Sequence, residues 1–260
     1  MFTNRLFRLF IALMIGTSLV ACAAPAALPT ATSLPTSLPL STNTVIPDTL
    51  SSTDATSVPT SVKPIPHMPL PPGAYKSEVF ETPLTYTVPD GWKMFEDEPG
   101  QFGLALLEND GPCLCVWRDV RAAAMSCAEE PEPGVGSSAA DIANWLTTRN
   151  GLDTTEPQPV SVGGLQGYVI DVRLDPDWTS TCPFSNDEPI VMTLVGTDIS
   201  KGVHWGTDKS TSQRYYLLDL GENGADGNIA ITVEVCCGAQ WDERMAAVTP
   251  VIESFVFDAK

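Results

Sequence analysis

Residues 214–235 read RYYLLDLGENGADGNIAITVEV, and this stretch decides the fold class. Ile229, Ile231, Val233 and Val235 alternate with Ala230, Thr232 and Glu234, the period-two pattern of a strand with one buried face. The run from Arg214 to Leu220 precedes it, and the Gly/Asn/Asp-rich segment between the two supplies turn residues, so the pair predicts a hairpin. A second hairpin reads upstream in residues 159–162, the turn Gly163-Gly164 and residues 165–174. There Tyr168, Ile170, Val172 and Leu174 share one face, and Asp171 and Arg173 take the other.

Further strands are expected at residues 84–88, 101–107, 113–118 and 190–195, bounded by turn residues such as Pro89-Asp90-Gly91 and Asn109-Asp110-Gly111-Pro112. Residues 138–150 predict a helix. Ser138 is its N-cap, Asp141 stands three residues on, Ile142, Trp145 and Leu146 form the apolar stripe, and Asn150-Gly151 stops it. Residues 240–248 predict a second helix with Trp241, Met245 and Val248 on one stripe, kinked or ended by Pro250. Residues 255–257 close the chain as a strand. Short hairpins with two helices between them give an α+β domain: a central antiparallel sheet with two main helices packed on it.

Ahead of this domain the composition changes twice. Residues 1–21 hold Arg5 and Arg8, no acid, and a short apolar run from Ile11 to Val20, which together predict a secretory signal. The run is shorter than the roughly 20 residues a membrane-spanning helix needs. It ends in Leu19-Val20-Ala21-Cys22, which resembles the bacterial lipobox and implies cleavage before Cys22 and a diacylglycerol thioether on it. Residues 22–74 are almost all Pro, Ser, Thr, Ala and Leu, a composition that cannot bury enough apolar surface to offset its ordering entropy. They read as a disordered stalk, which at about 3.1 Å per residue could reach roughly 150 Å. Residues 75–260 are then a single globular domain. It is expected to hang from the cell membrane or outer membrane by the lipid on Cys22, facing the periplasm or the exterior.

Charge and cysteine content fit that address. The formal net charge is −18, and −20 once Arg5 and Arg8 leave with the signal. Nucleic acid is excluded as a partner, because its phosphates need Lys and Arg. Six cysteines remain besides Cys22: Cys113, Cys115, Cys127, Cys182, Cys236 and Cys237. In an exported domain an even number reads as three disulfides, with fifteen possible connectivities left open. Alternation places Cys113 and Cys115 on one face with Trp117, and sends Cys236 and Cys237 to opposite faces.

The segment Tyr86-Thr87-Val88-Pro89-Asp90-Gly91-Trp92, a helix in mid-domain, the turn Val162-Gly163-Gly164-Leu165-Gln166-Gly167 and the closing Glu253-Ser254-Phe255-Val256-Phe257 resemble, in that order, bacterial lipoproteins of the Mog1/PsbP-like class. The resemblance spans most of residues 75–260. It implies a central antiparallel sheet with helices on its faces, an accessory or interaction role, and no shared catalytic residues. The six cysteines and the long loops depart from the pattern.

Catalytic and metal chemistry find little to work with. His67 lies in the stalk, and His204 has no Gly-x-Ser-x-Gly elbow to serve. Cys113, Cys115, Cys236 and Cys237 would suit a soft metal only if reduced. Asp219, Asn223, Asp226 and Asn228 offer a loose calcium site, but the loop departs from the EF pattern at two ligand positions and reads more readily as a plain turn. Trp178, Phe184 and Trp205 lie in or near loops, where aromatic rings either stack on a ligand or plug the edge of the core. The expected function is a lipid-anchored binding or accessory module for an unknown protein or glycan partner, with no cofactor and no catalysis. The rivals are an envelope polymer hydrolase built on an Asp/Glu pair and a purely structural envelope protein.

Overall fold

The computed structural model describes residues 64–108, 113–196, 204–235 and 240–258. They belong to a compact unit of residues 54–260. In chain order the strands are β1 (Pro69–Leu70), β2 (Gly73–Lys76), β3 (Leu84–Val88), β4 (Trp92–Glu98), β5 (Gln101–Leu106), β6 (Leu114–Arg118), β7 (Val120–Ala122), β8 (Leu152–Thr154), β9 (Gln158–Val162), β10 (Leu165–Leu174), β11 (Ile190–Gly196), β12 (His204–Asp208), β13 (Ser212–Asp219), β14 (Asn228–Val235) and β15 (Val256–Phe257). The helices are α1 (Ala139–Thr148) and α2 (Trp241–Glu253).

The central sheet runs β1-β4-β5-β6-β14-β13-β10-β8, with β9 also paired to β10. Both hairpins read from the sequence belong to it. β13 and β14 pair antiparallel from Ser212↔Val235 to Asp219↔Asn228, and β9 pairs β10 through Leu165↔Val162. Gly163 and Gly164 turn the chain at φ +60° and +90°, a backbone that β-carbon-bearing residues rarely adopt.

Each face of the sheet is covered by one helix and one three-stranded sheet. Phe102, Val116, Leu218 and Ile231 pack with α2 and with the sheet β15-β3-β2. Trp117, Ala230, Leu217 and Ile170 pack with α1 and with the sheet β12-β11-β7. The protein is thus richer in β-structure than an α+β sheet with two helices. Ala230 and Thr232, expected to face away from the core, are 0% and 2% exposed because this second layer covers them. A polar network ties the layer down: Tyr215 Oη donates to Gln213 Oε1 at 2.5 Å, and Gln213 Nε2 donates to Gly206 O on β12 at 3.1 Å.

Several expectations are corrected. β1 and the first half of β2 fall within the segment assigned to the stalk; Leu70 and Ala74 are buried, which gives this Pro-rich stretch the anchors its composition otherwise lacks. α2 does not stop at Pro250 but continues to Glu253, since Val251 and Ile252 are buried beyond it and their packing outweighs one missing backbone bond. Cys113 stands before β6 rather than in it, and packs with the α2 face while Cys115 and Trp117 face α1.

The disulfide scaffold differs most. Cys127 and Cys182 are bonded, whereas Cys113 and Cys115 are buried free thiols. The register explains it: Cys115 stands opposite Thr232 on one side and Gly103 on the other, and Glu234 N bonds Cys113 O. Cys22, Cys236 and Cys237 lie outside the described residues.

Candidate functional site

A cleft of about 260 Å³ opens beside the end of β6, lined by Glu81, Thr82, Pro83, Arg118, Leu220, Gly221, Asp226 and Asp258. Four segments build it: the chain entering β3, the last residue of β6, the loop between β13 and β14, and the residue following β15. Arg118 shares the face of Val116, so strand alternation aims it at the β15-β3-β2 side of the sheet.

The guanidinium is held at two of its three nitrogens. Its Nε donates to Asp119 Oδ2 at 3.1 Å and lies 3.7 Å from Glu81 Oε2, and Nη1 donates to Thr82 Oγ1. Nη2 has no partner among the described residues. Asp258 Oδ2 sits 2.6 Å from Lys76 Nζ. Asp226, by contrast, has no side-chain partner among the described residues although it lines the same cleft. Gly221, at φ +69°, makes room for it: a β-carbon there would lie 2.4 Å from Asp226 Oδ2.

The four residues considered for calcium do not act together. Asp219 Oδ1 accepts from Ala139 N at 2.7 Å and so caps α1. Asn228 is buried, accepting from Val120 N at 3.0 Å and donating to Val120 O and Ser137 O at 2.9 and 2.8 Å. Asn223 forms part of a single 3₁₀ turn (Glu222–Gly224), and only Asp226 faces the cleft. Among the described residues no group of three or more His, Cys, Asp or Glu is placed to hold a metal ion.

Two of the three candidate aromatics plug the core edge. Trp178 donates Nε1–H to Ile190 O at 3.1 Å, and Trp205 packs on Trp117 with ring centroids 4.1 Å apart. Phe184 is 41% exposed, with its ring 5.4 Å from His204, whose Nδ1 lies 3.1 Å from Glu129 Oε1.

On the α1 side of the sheet, Glu96 and Glu234 flank Cys115. Burial pushes both carboxyls above their ordinary value, offset in part by Gln101, which donates to Glu96 at 2.6 Å, and by Gln213, which donates to Glu234 at 3.5 Å. Burial, and then these two acids, push the Cys115 thiol well up, so it stays protonated and is no nucleophile. A carboxyl raised in the folded state favours folding most at low pH and loses that contribution as pH climbs above its unfolded value near 4.5. Glu234→Gln should therefore raise the melting temperature at pH 7 to 8, with the gain shrinking to nothing by pH 4. A gain independent of pH would show that the charge is not the cause.

Sequence reading missed Arg118, Glu81 and Asp258 as site residues. No local signal marks them, since the cleft joins four segments that are distant in sequence.

No protein-family model matches the chain, and no curated protein matches it in sequence. Solved structures with some likeness include LpqN, involved in cell envelope biogenesis of Mycobacterium tuberculosis, with a TM-score of 0.36 and 10% identity over 73% of this chain and 89% of that one. Another, from Bacteroides thetaiotaomicron, has a TM-score of 0.29 and 14% identity over 68% of this chain and 45% of that one. At these scores neither likeness assigns a fold or a function.

Proposed function

We propose that this chain is an exported lipoprotein whose domain serves as a binding or accessory module, taking its ligand in the Arg118 cleft. The observation that carries the exported reading is the Cys127–Cys182 disulfide, because such bonds form and persist in oxidising compartments outside the cytoplasm. The basic and apolar run ending in Leu19-Val20-Ala21-Cys22 supplies the route and the anchor. Among the described residues no helix is long and apolar enough to cross a membrane, so a lipid on Cys22 would be the hold on the bilayer.

The test is acylation. In a bacterial host fed an alkyne-labelled palmitate, the full chain should take up label and partition into the detergent phase. Cys22→Ser should do neither and should keep its full-length signal. An unlabelled wild-type chain, or a domain shielded from added protease after the outer envelope is opened, would overturn the reading.

A further inference from the structure

The geometry points to a small zwitterion, bearing one ammonium and one carboxylate group, as the ligand of the Arg118 cleft; this rests on the binding-module reading above. A guanidinium and a carboxylate line one cavity and do not pair with each other. Arg118 bonds Asp119 and Thr82 and approaches Glu81, whereas Asp226 bonds no described side chain. Opposite charges that share a cleft without meeting leave room for a ligand carrying both signs in reverse order.

The guanidinium is suited to the carboxylate end. Its Nε edge is fixed by Asp119 and Glu81, which orient it and limit the entropy lost on binding. Its Nη2 is left for a charge-assisted bond, the kind in which Arg and carboxylate pair most strongly. Asp226 is suited to the ammonium end, with Asp258 on the same wall although already shared with Lys76. Size sets the class. At about 260 Å³ the cleft is smaller than the roughly 300–1,000 Å³ typical of pockets for drug-sized ligands, so it suits an amino acid or a very short peptide rather than a polymer segment. The acids around the guanidinium work against a lone anion, and Arg118 works against a lone cation, so neither half of the ligand should bind well by itself.

The experiment is titration calorimetry on the full-length acylated chain in detergent. Glycine, β-alanine and glycylglycine vary the separation of the two charges; acetate and methylammonium supply each charge alone. At least one zwitterion should bind, and both single-charge probes should bind at least about tenfold more weakly, as expected when a charged hydrogen bond is lost. Which zwitterion binds best distinguishes a free amino acid from a peptide. Asp226→Asn, at an exposed position, should weaken binding at least about tenfold without changing the melting temperature; Arg118→Lys should do the same if it folds. Absence of zwitterion binding at millimolar concentration, equal binding of acetate or methylammonium, or unchanged affinity of Asp226→Asn would overturn the proposal. Cys22→Ser should leave the affinity unchanged, so failed acylation and a failed cleft give separate readouts.

Discussion

The double replacement Cys127→Ser, Cys182→Ser is expected to destabilise the domain by about 4 kcal/mol, the chain-entropy value for a loop spanning a sequence separation of 55. For a domain of this size that corresponds to a melting temperature lower by on the order of 10 °C. The bond joins two long connections with little regular structure of their own. Outside the named strands, the ladder contacts there are the isolated bridges Ala123↔Pro131 and Thr181↔Pro189. Cys182 is buried while Cys127 is partly exposed, so a thiol reductant should reach the bond and reproduce the loss in the wild-type chain. Thermal melts with and without reductant make the measurement. A wild-type melt unaffected by full reduction would mean that the two loops are held by packing and not by the bond.

The second large effect is expected at Trp92. This residue is 1% exposed in the core cluster that also holds Tyr86 and Phe102, and Trp92→Ala should cost about 3–5 kcal/mol, the range for emptying a buried aromatic site. Against a typical total of about 5–15 kcal/mol, the variant should be marginal at 37 °C. The position is sensitive because β4 pairs on both sides there, Trp92 with Leu106 and with Leu70, so collapse into the void would pull on two ladders. Urea unfolding of Trp92→Ala and Trp92→Phe gives the comparison. Equal midpoints would show that the site tolerates loss of the ring volume altogether.

How legible all this was depended on where one face of a strand met water. The hairpins around Gly163-Gly164 and Gly221 to Gly227 were readable because apolar residues alternate and the turns need special backbones. α1 was readable from Ser138, whose Oγ accepts from Asp141 N at 3.1 Å. β4 was not. Its second half, Glu96-Asp97-Glu98, is polar, and a register shift between Met94 and Glu96 breaks the period. The double covering of β14 was hidden as well, because Ala230 and Thr232 are too small or too polar to declare a buried face. The cysteines misled for a simpler reason: counting thiols says nothing about which residue stands across the ladder, and opposite Cys115 stands Thr232. The cleft lay beyond reach because Arg118 and Asp226 are brought together by topology and not by spacing.

The small sheet β15-β3-β2 has a mechanical consequence. β2 and β15 each run antiparallel to β3, and therefore parallel to one another, on its two sides. A pull on the start of β2 and an opposite pull on the end of β15 would slide both strands lengthwise along β3. Ladder bonds lie across the strands, so such a load strains them together instead of peeling them one by one. A domain pulled from its two ends would load the two-residue pairing of β1 with β4 and then meet the tension with β2 and β15 in shear against β3.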